Sequence, residues 1–295
     1  MPVRPLYPLS LVSALIFPIL AVLPTVSWAQ AGAPVNRVIE QLRQDRPVIG
    51  TFTRNPRVDL DFVIIDAQYG EFDIDAVRAA LSNMHTGNAG AAAPIVRIPL
   101  NLRDAPQAVV KQLLDLGVLG LMFPDIETGQ QALTAIGSMR YAEAAAVGEE
   151  LPAGLRGSGA GSAPAYWGLS DDDYRAAADV WPLAADGKLV AMIQIESLAG
   201  IAHLDEILEV PGIGVIFLGP TDIATSIGAE GPDAASVEVL VQEVLAACLE
   251  QNIPCGYPIV APTPEAAERE TARRLAEGFR VLAVMTRTSE SGLSR

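Results

Sequence analysis

The stretch KLVAMIQIES (residues 188–197), followed after a spacer by GIGVIFLGPTDIATSIG (residues 212–228), indicates how this chain folds. Each stretch is an apolar run that ends abruptly in polar residues. The run before Glu196 is uncharged and contains β-branched residues, which is typical of a strand buried on both faces of a parallel sheet. The second run ends at Gly219 and is soon followed by Asp222. We therefore predict two parallel strands, each with a carboxylate just beyond its end.

The spacer between these two runs has apolar residues at helical intervals. A right-handed strand, helix, strand unit would place Glu196 and Asp222 at the same end of neighbouring strands. Two carboxylates with water suit a hard divalent cation, Mg²⁺ or Mn²⁺. The alternative is that Glu196 caps the next helix and Asp222 lies in a turn, and the spacing alone leaves both interpretations open.

The rest of the chain repeats this alternation of short apolar runs and helical patterns. The runs cover residues 48–53, 62–66, 94–98, 120–123, 189–195, 214–218, 255–260 and 281–285. Eight such runs, most of them followed by helices, predict an α/β fold, a single (β/α)8 TIM barrel. Residues 54–61 are too few for a crossover helix, so the first βα unit is abbreviated. A doubly wound open sheet is the alternative, but polar residues after many runs favour closure.

Two further segments have a predicted place in this barrel. Residues 35–44 form a short helix of the kind that covers the bottom of a barrel, and a capped helix runs from Asp125 through residue 139. Residues 141–188 are the longest irregular stretch, rich in Gly, Ser and Ala but containing Tyr166 and Trp167. Loops of that length are commonly lids or interface arms. A phosphate-binding loop is less favoured, because no strand leads into it and no Lys follows.

Residues 1–29 have the features of a secretory signal peptide that precedes the barrel. A basic residue is followed by an apolar run over residues 9–26, and Ser27 and Ala29 are small residues before the cleavage point. Cleavage would leave a barrel domain of residues 30–295, exported to the periplasm or secreted, with no stable membrane span. The alternative is an uncleaved membrane anchor, although two prolines interrupt the run.

The composition narrows the class of partner. The formal net charge is -15, and the sequence contains no cluster of Lys and Arg, which argues against a nucleic-acid partner. The hydrophobic content of 50% is enough for one large core.

Cys248 and Cys255 could form a disulfide in an oxidising compartment, or could be two buried free thiols.

Polar side chains gather at the carboxyl ends of the predicted strands, where a barrel has its active site. Asp66, Gln68 and Tyr69 follow the second run, and Arg97 lies inside the third. A buried Arg is costly unless it pairs with a carboxylate or with an oxyanion of a ligand. A structural salt bridge to Asp66 or Glu196 is therefore the alternative to a role in substrate binding.

Five ordered motifs resemble those of one enzyme family. They are IIDAQYGEFD (residues 64–73), IVRIP (95–99), GLMFP (120–124), QIES (194–197) and LGPTDIA (218–224). The chain resembles the HpcH/HpaI-type class II pyruvate aldolases, which cleave 4-hydroxy-2-oxo acids to pyruvate and an aldehyde. The similarity spans about residues 48–285. It implies a homo-oligomer that acts on a small oxo acid.

The resemblance also assigns roles to residues. It makes Glu196 and Asp222 the ligands of a divalent metal, Mg²⁺ or Mn²⁺, and has Arg97 polarise the keto oxygen. Backbone N–H groups around Thr221 and Asp222 would help hold the substrate carboxylate, and Gln194 would support Glu196. The implied catalytic residues are Asp66, Tyr69 and Arg97, and the implied substrate-binding residues are Gln68, Gln194, Thr221 and Asp222.

Tyr69 is a departure from the family pattern, which has a His at this position. An unperturbed Tyr has a pKa of about 10 and is a poor base at pH 7, so Tyr69 would act as an acid or through a strongly lowered pKa.

The sequence is compatible with three alternative functions. The first is a metal-dependent carbon–carbon lyase acting on 2-oxo acids. The others are an exported small-ligand-binding relative without activity and an oxo-acid decarboxylase using the same site.

Overall fold

A computed structural model of the chain describes Met1 and residues 36–69, 72–85, 92–142 and 152–287. The predicted signal peptide, apart from Met1, lies outside these residues. None of the described helices has both the length and the apolar character needed to cross a membrane.

The described strands all run parallel. They are β1 (Val48–Phe52), β2 (Phe62–Asp66), β3 (Ala93–Arg97), β4 (Gly120–Phe123), β5 (Val180–Trp181), β6 (Leu189–Ile195), β7 (Val215–Leu218), β8 (Cys255–Ala261) and β9 (Val281–Thr286). Pairing runs from β4 through β3, β2 and β1 to β9, β8, β7 and β6, and β6 pairs back with β4. Among the described residues, eight strands therefore close into a barrel, while the short β5 joins the start of β6. The predicted barrel is confirmed.

The described helices pack around this barrel. They are α1 (Arg37–Arg43), α2 (Ile74–His85), α3 (Gln107–Leu114), α4 (Gly129–Met139), α5 (Ala163–Trp167), α6 (Asp171–Ala177), α7 (Leu198–Ala202), α8 (Leu204–Leu208), α9 (Pro220–Ile227), α10 (Ala235–Glu250) and α11 (Pro264–Glu277). Residues 53–61 between β1 and β2, all of them described, contain no helix, so the abbreviated first βα unit is also confirmed.

The barrel core is built from strands in which buried apolar residues predominate and charged residues are nearly absent. All seven residues of β6 are buried, as are all the residues of β3, β4 and β7. Such strands have both faces covered, one by the barrel interior and the other by the helices. The charged Arg97 at the end of β3 is the exception that the site explains.

The first helix closes the amino-terminal end of the barrel, as its position in the sequence predicted. Asn36 caps α1, and its Nδ2 donates hydrogen bonds of 2.9 Å to the carbonyls of Leu119 and Lys188. These two residues lie just before β4 and β6. The carboxyl ends of the strands, where the candidate site lies, are at the other end of the barrel.

Two local predictions were wrong. The spacer after β6 forms two short helices, α7 and α8, with His203 between them, instead of one longer helix. Helix α4 does not begin at Asp125, because Thr128 is extended and its hydroxyl accepts the N–H of Gln131 at 3.2 Å. Asp125 instead adopts a left-handed backbone conformation, with φ of 50°.

The segment after α4 is also more regular than predicted, since its described part contains α5 and α6. The Trp167 indole donates to the carbonyl of Gly117 at 2.8 Å, and the Tyr166 hydroxyl donates to that of Leu81 at 3.3 Å. Gly117 follows α3, and Leu81 lies in the last turns of α2, so these aromatics fasten the segment to the amino-terminal side. Residues 152–187 are therefore not a lid over the strand carboxyl ends.

The two cysteines are free and buried in the structure. Cys248 lies on α10 and Cys255 is the first residue of β8. Burial raises the pKa of the Cys255 thiol well above its usual value, and the neighbouring Cys248 raises it further. Of the two predicted states, the structure shows the buried thiols.

Candidate active site

Glu196 is the first residue beyond β6, and its carboxylate is buried at the carboxyl end of the barrel. Its exposed fraction is 3%, and neither carboxylate oxygen has a hydrogen-bond partner among the described residues. The interpretation of Glu196 as a helix cap is wrong, because Ser197 caps α7 by accepting the N–H of Gly200 at 3.2 Å. A buried carboxylate without partners is costly, so its position calls for a ligand.

Asp222 lies in the first turn of α9, directly after β7, and its charge acts on Glu196. The pKa of Glu196 is raised to about 8, mainly by burial and next by the charge of Asp222, while Arg97 acts to lower it. Two carboxylates that repel each other, one of them desolvated, form a donor set that suits a hard divalent cation. The residues present therefore fit the predicted metal site.

Gly219, between β7 and α9, makes room for Glu196. A Cβ atom at this position would lie 2.3 Å from Oε2 and 2.6 Å from Cβ of Glu196. Any larger residue would thus push the carboxylate away. Gly219 therefore marks the end of the strand and also leaves the space that the Glu196 side chain occupies.

Arg97 and Asp66 form a buried ion pair at the neighbouring strand ends. Nε and Nη2 of Arg97 donate to the two oxygens of Asp66 at 2.9 and 2.6 Å. The guanidinium lies between the rings of Phe52 and Tyr69, with its Cζ 4.9 and 5.1 Å from their centroids. Asp66 also accepts the N–H of Gln68 at 3.0 Å. The salt bridge considered from the sequence exists, and it holds Arg97 in place at the site.

Tyr69 reaches across the barrel mouth towards the carboxylate pair. Its hydroxyl donates to Oδ2 of Asp222 at 3.4 Å, although the residue is 54% exposed. Partial burial raises the pKa of Tyr69 above its ordinary value, and the charge of Asp222 raises it further. The phenol is therefore protonated at neutral pH. Of the two possibilities for Tyr69, the direction of this shift favours the acid.

The remaining predicted substrate-binding residues differ in which of their polar groups are available to a ligand. Gln68 and Gln194 each have a buried amide oxygen without a hydrogen-bond partner among the described residues. Thr221 is exposed at the start of α9. The N–H of Asp222 is already bonded to the carbonyl of Gly219 at 3.1 Å, so only its carboxylate is available to a ligand. The predicted backbone role of Asp222 is therefore wrong, and the N–H of Thr221 is the remaining candidate.

Sequence reasoning missed a network that supports the loop after β4. Arg103 donates to the carbonyl of Asp125 at 2.7 Å, to its carboxylate, and to Glu127 at 2.9 Å. Glu127 in turn accepts the hydroxyl of Ser197 at 2.9 Å. Burial raises the pKa of Asp125, while Arg103 lowers it. The acidic residues after the fourth apolar run were a visible signal, but nothing in the sequence pointed to Arg103.

His203, the histidine whose side chain the structure describes, does not substitute for the base of the family. His203 is exposed at the junction of α7 and α8, with Nδ1 3.0 Å from the carbonyl of Ala199. The side chain of His85 lies outside the described residues. In the part of the chain that the structure describes, no three His, Cys, Asp or Glu residues gather as a metal-binding group. The site thus offers two carboxylates, a number that Mg²⁺ accepts when water and substrate complete its coordination.

Comparison with known proteins identifies the family of this chain. The chain matches the model of the HpcH/HpaI aldolase/citrate lyase family over residues 52–284. It is 34% identical over 228 residues to a hydroxypyruvate/pyruvate aldolase of Delftia acidovorans, covering 76% of this chain and 73% of that protein. It is 28% identical over 210 residues to a 5-keto-4-deoxy-D-glucarate aldolase of Citrobacter koseri, covering 71% and 72%.

A solved structure has the same fold. The HpcH/HpaI aldolase/citrate lyase family protein of Burkholderia cenocepacia superposes with a TM-score of 0.69 at 26% sequence identity, covering 85% of this chain and 93% of that one. Enzymes of this family generally depend on a divalent metal. Because the family model covers most of the barrel and the relatives are aldolases, this chain belongs to the HpcH/HpaI aldolase/citrate lyase family and is a carbon–carbon lyase.

Proposed function

We propose that this lyase binds a 2-oxo acid at Glu196 and Asp222 with Mg²⁺ or Mn²⁺ and breaks the bond between C3 and C4, releasing pyruvate or a related oxo acid. The observation that carries the proposal is the buried, unpartnered carboxylate of Glu196 facing a second carboxylate beside a buried arginine. Relatives named as aldolases of hydroxypyruvate, pyruvate and 5-keto-4-deoxy-D-glucarate support the substrate class.

Each residue has a distinct task in this proposal. Glu196 and Asp222 would hold the cation, which when bound supplies Lewis-acid polarisation of the 2-oxo acid. Arg97, fixed by both oxygens of Asp66, stabilises the negative charge that develops on the keto oxygen. Because the ion pair orients the guanidinium before the substrate arrives, little reorganisation is needed during the reaction. The N–H of Thr221 is the candidate donor to the substrate carboxylate.

The raised pKa of Tyr69 and the place of its hydroxyl beside Asp222 suit a proton donor better than a proton acceptor. This favours a second candidate reaction, the decarboxylation of a 2-oxo acid that carries a carboxylate on C3, such as oxaloacetate. Loss of CO₂ needs polarisation of the keto group and a proton at C3, but no base at a 4-hydroxyl. Aldol cleavage requires a group that accepts the 4-hydroxyl proton, and the protonated phenol does not fill that role.

The test is a coupled assay of pyruvate release by the purified protein with Mn²⁺ or Mg²⁺, using oxaloacetate and a panel of 4-hydroxy-2-oxo acids. We expect EDTA and the Glu196→Gln substitution each to lower the rate at least about 100-fold, because both remove stabilisation of the developing charge. The matched control is Glu209→Gln, an exposed residue after α8, which should keep wild-type activity.

Substitution of Tyr69 separates the two reactions. Tyr69→His should raise the rate of aldol cleavage at pH 7, because a histidine titrates near neutrality. Oxaloacetate decarboxylation should not gain from the same change. If no substrate in the panel yields pyruvate while oxo-acid binding persists by calorimetry, the protein is a binding relative and the proposed reaction is wrong.

We further propose that the protein is exported and assembles as a homo-oligomer. Export is supported by the sequence of residues 1–29, and assembly by membership of the family.

A further inference from the structure

We propose that Arg54 binds a second carboxylate of the substrate, so that the enzyme prefers 2-oxo acids whose distal end is negatively charged. The inference rests on the proposed function for the placement of the 2-oxo group. It concerns a residue on the shortened connection between β1 and β2, which supplies no other group to the site described above.

The backbone on both sides of Arg54 is anchored at the barrel mouth. The N–H of Thr53 donates to the carbonyl of Ile64 in β2 at 3.0 Å. The N–H of Asn55 donates to the hydroxyl of Thr53 at 3.1 Å. Arg54 lies two residues beyond Phe52, the last residue of β1, and no helix follows that strand, so Arg54 is at the strand carboxyl ends.

The side chain of Arg54 is directed to the same strand end that holds Arg97. Its Nη2 lies 3.4 Å from the backbone carbonyl of Asp66, a long hydrogen bond. Arg97, and not Arg54, pairs with the carboxylate of Asp66, since the hydrogen bonds from Arg97 reach both of its oxygens. Arg54 is exposed and forms no ion pair with any described residue. The guanidinium is therefore held near the site with most of its donors available.

The other cations of the mouth are already occupied. Arg97 is paired with Asp66, and Arg103 is bound by Asp125 and Glu127. The remaining charges near the metal position are those of carboxylates, which would repel a second acidic group on the substrate. Among the described residues of the mouth, Arg54 is thus the group suited to it, since guanidinium binds carboxylate with two parallel hydrogen bonds.

The first measurement is binding by calorimetry in the presence of Mn²⁺, with 2-oxoglutarate and 2-oxopentanoate as probes. The two acids share the 2-oxo acid group and differ in a terminal carboxylate against a terminal methyl group. Arg54→Gln should weaken the binding of 2-oxoglutarate about 10- to 100-fold, the range for a hydrogen bond to a charged group. The binding of 2-oxopentanoate should change less than about twofold by the same reasoning.

Arg57→Gln is the matched control, since Arg57 lies on the same connection but is paired with Asp59 at 2.8 and 2.6 Å. It should leave both affinities unchanged, and Arg54→Lys should restore part of the lost affinity. Equal weakening of both probes, or of neither, would overturn the inference. Because binding is measured without turnover, a protein that releases no pyruvate would contradict the proposed function while this comparison still decides the role of Arg54.

Discussion

Gly219 shows how a single residue without a side chain can control the candidate metal site. The carboxylate of Glu196 occupies the space that a Cβ atom at Gly219 would need. Its backbone φ of -114° is ordinary, so the glycine is required for space and not for conformation. The identity of this residue therefore determines where the buried carboxylate can lie.

Gly219→Ala should weaken Mn²⁺ binding at least about tenfold while the protein stays folded, because a displaced ligand loses part of its contribution to metal affinity. Calorimetric titration with Mn²⁺ measures the affinity, and thermal unfolding checks the fold. Gly231→Ala is the control, since a Cβ there would have no heavy atom within 4 Å. An unchanged affinity in Gly219→Ala would mean that Glu196 does not bind the metal in this position.

The ion pair of Arg97 and Asp66 explains why an arginine is tolerated at the end of an apolar strand. Both side chains are largely buried, and two hydrogen bonds join them. Removing either partner would leave a buried charge without compensation. The pair is thus structural and functional at once, since the same contact that stabilises the barrel orients the guanidinium.

Another buried arginine joins helices α10 and α11, and it has no role in the candidate site. Arg274 is 2% exposed and donates to Glu238, Glu270 and Glu277 at distances of 2.8 to 3.1 Å. Its guanidinium also lies 4.0 Å from the ring centroid of Tyr257 on β8. The network fastens two helices of the outer layer to each other and to the barrel.

This network makes stability depend on pH. The pKa of Glu270 is lowered mainly by the hydrogen bond from Arg273. Burial acts to raise the pKa of Glu238, but hydrogen bonds from Arg274 and Gln242 bring it below the usual value. Because these pKa values are lower in the folded chain, the stabilisation is present above the unfolded value of about 4.3 and is lost as the pH falls through the folded value.

Glu238→Gln should lower the free energy of unfolding by about 1–3 kcal/mol at pH 7, since hydrogen bonds to a charged group are lost. The loss should shrink as the pH falls below about 4, where the wild-type carboxyl is protonated too. Urea unfolding at several pH values measures this. Glu243→Gln, an exposed residue on the same helix, should stay close to the wild type throughout. A loss that is independent of pH would contradict the ionic origin.

The outer side of the barrel is uncovered beside β1, because no helix follows that strand. A cavity of about 430 Å³ lies there, lined by residues of β1, β9 and α11 together with Arg57 and Leu60. It is on the outer, helix-facing side of the strands, not at their carboxyl ends, and so it is separate from the candidate active site. The shortened connection thus exposes part of the strand layer while it brings Arg54 to the mouth.

Expression of the full chain tests the two proposals about the molecule as a whole. The secreted or periplasmic protein should begin at Gln30 by intact mass, because the signal peptide is removed. Light scattering on that material should give a mass that is a multiple of the protomer mass. Retention of residues 1–29 in a membrane fraction would contradict export by cleavage, and a monomer at micromolar concentration would contradict assembly.

The amino-acid sequence was sufficient to identify the barrel, because hydrophobic periodicity is a local property. Every barrel strand was placed within about a residue or two of its observed bounds, and the predicted helix at residues 35–44 contains α1. The absence of a helix between β1 and β2 also follows from chain length alone, since residues 54–61 are too few for a crossover helix. The carboxylates Glu196 and Asp222 were found because both follow buried strands.

Folding in three dimensions decided the features that depend on residues distant in sequence. The caps of α4 and α7 are set by which side-chain oxygen lies within hydrogen-bond distance of an N–H group in the first helical turn. The aromatic side chains that anchor residues 152–187 donate hydrogen bonds to carbonyls that are distant in sequence. The raised pKa of Tyr69 arises from burial and from Asp222, which is contributed by another strand end. The network of Arg103 likewise joins three loops. Such contacts arise only when barrel closure brings the strand ends together, because electrostatics and hydrogen bonding act across space and not along the chain.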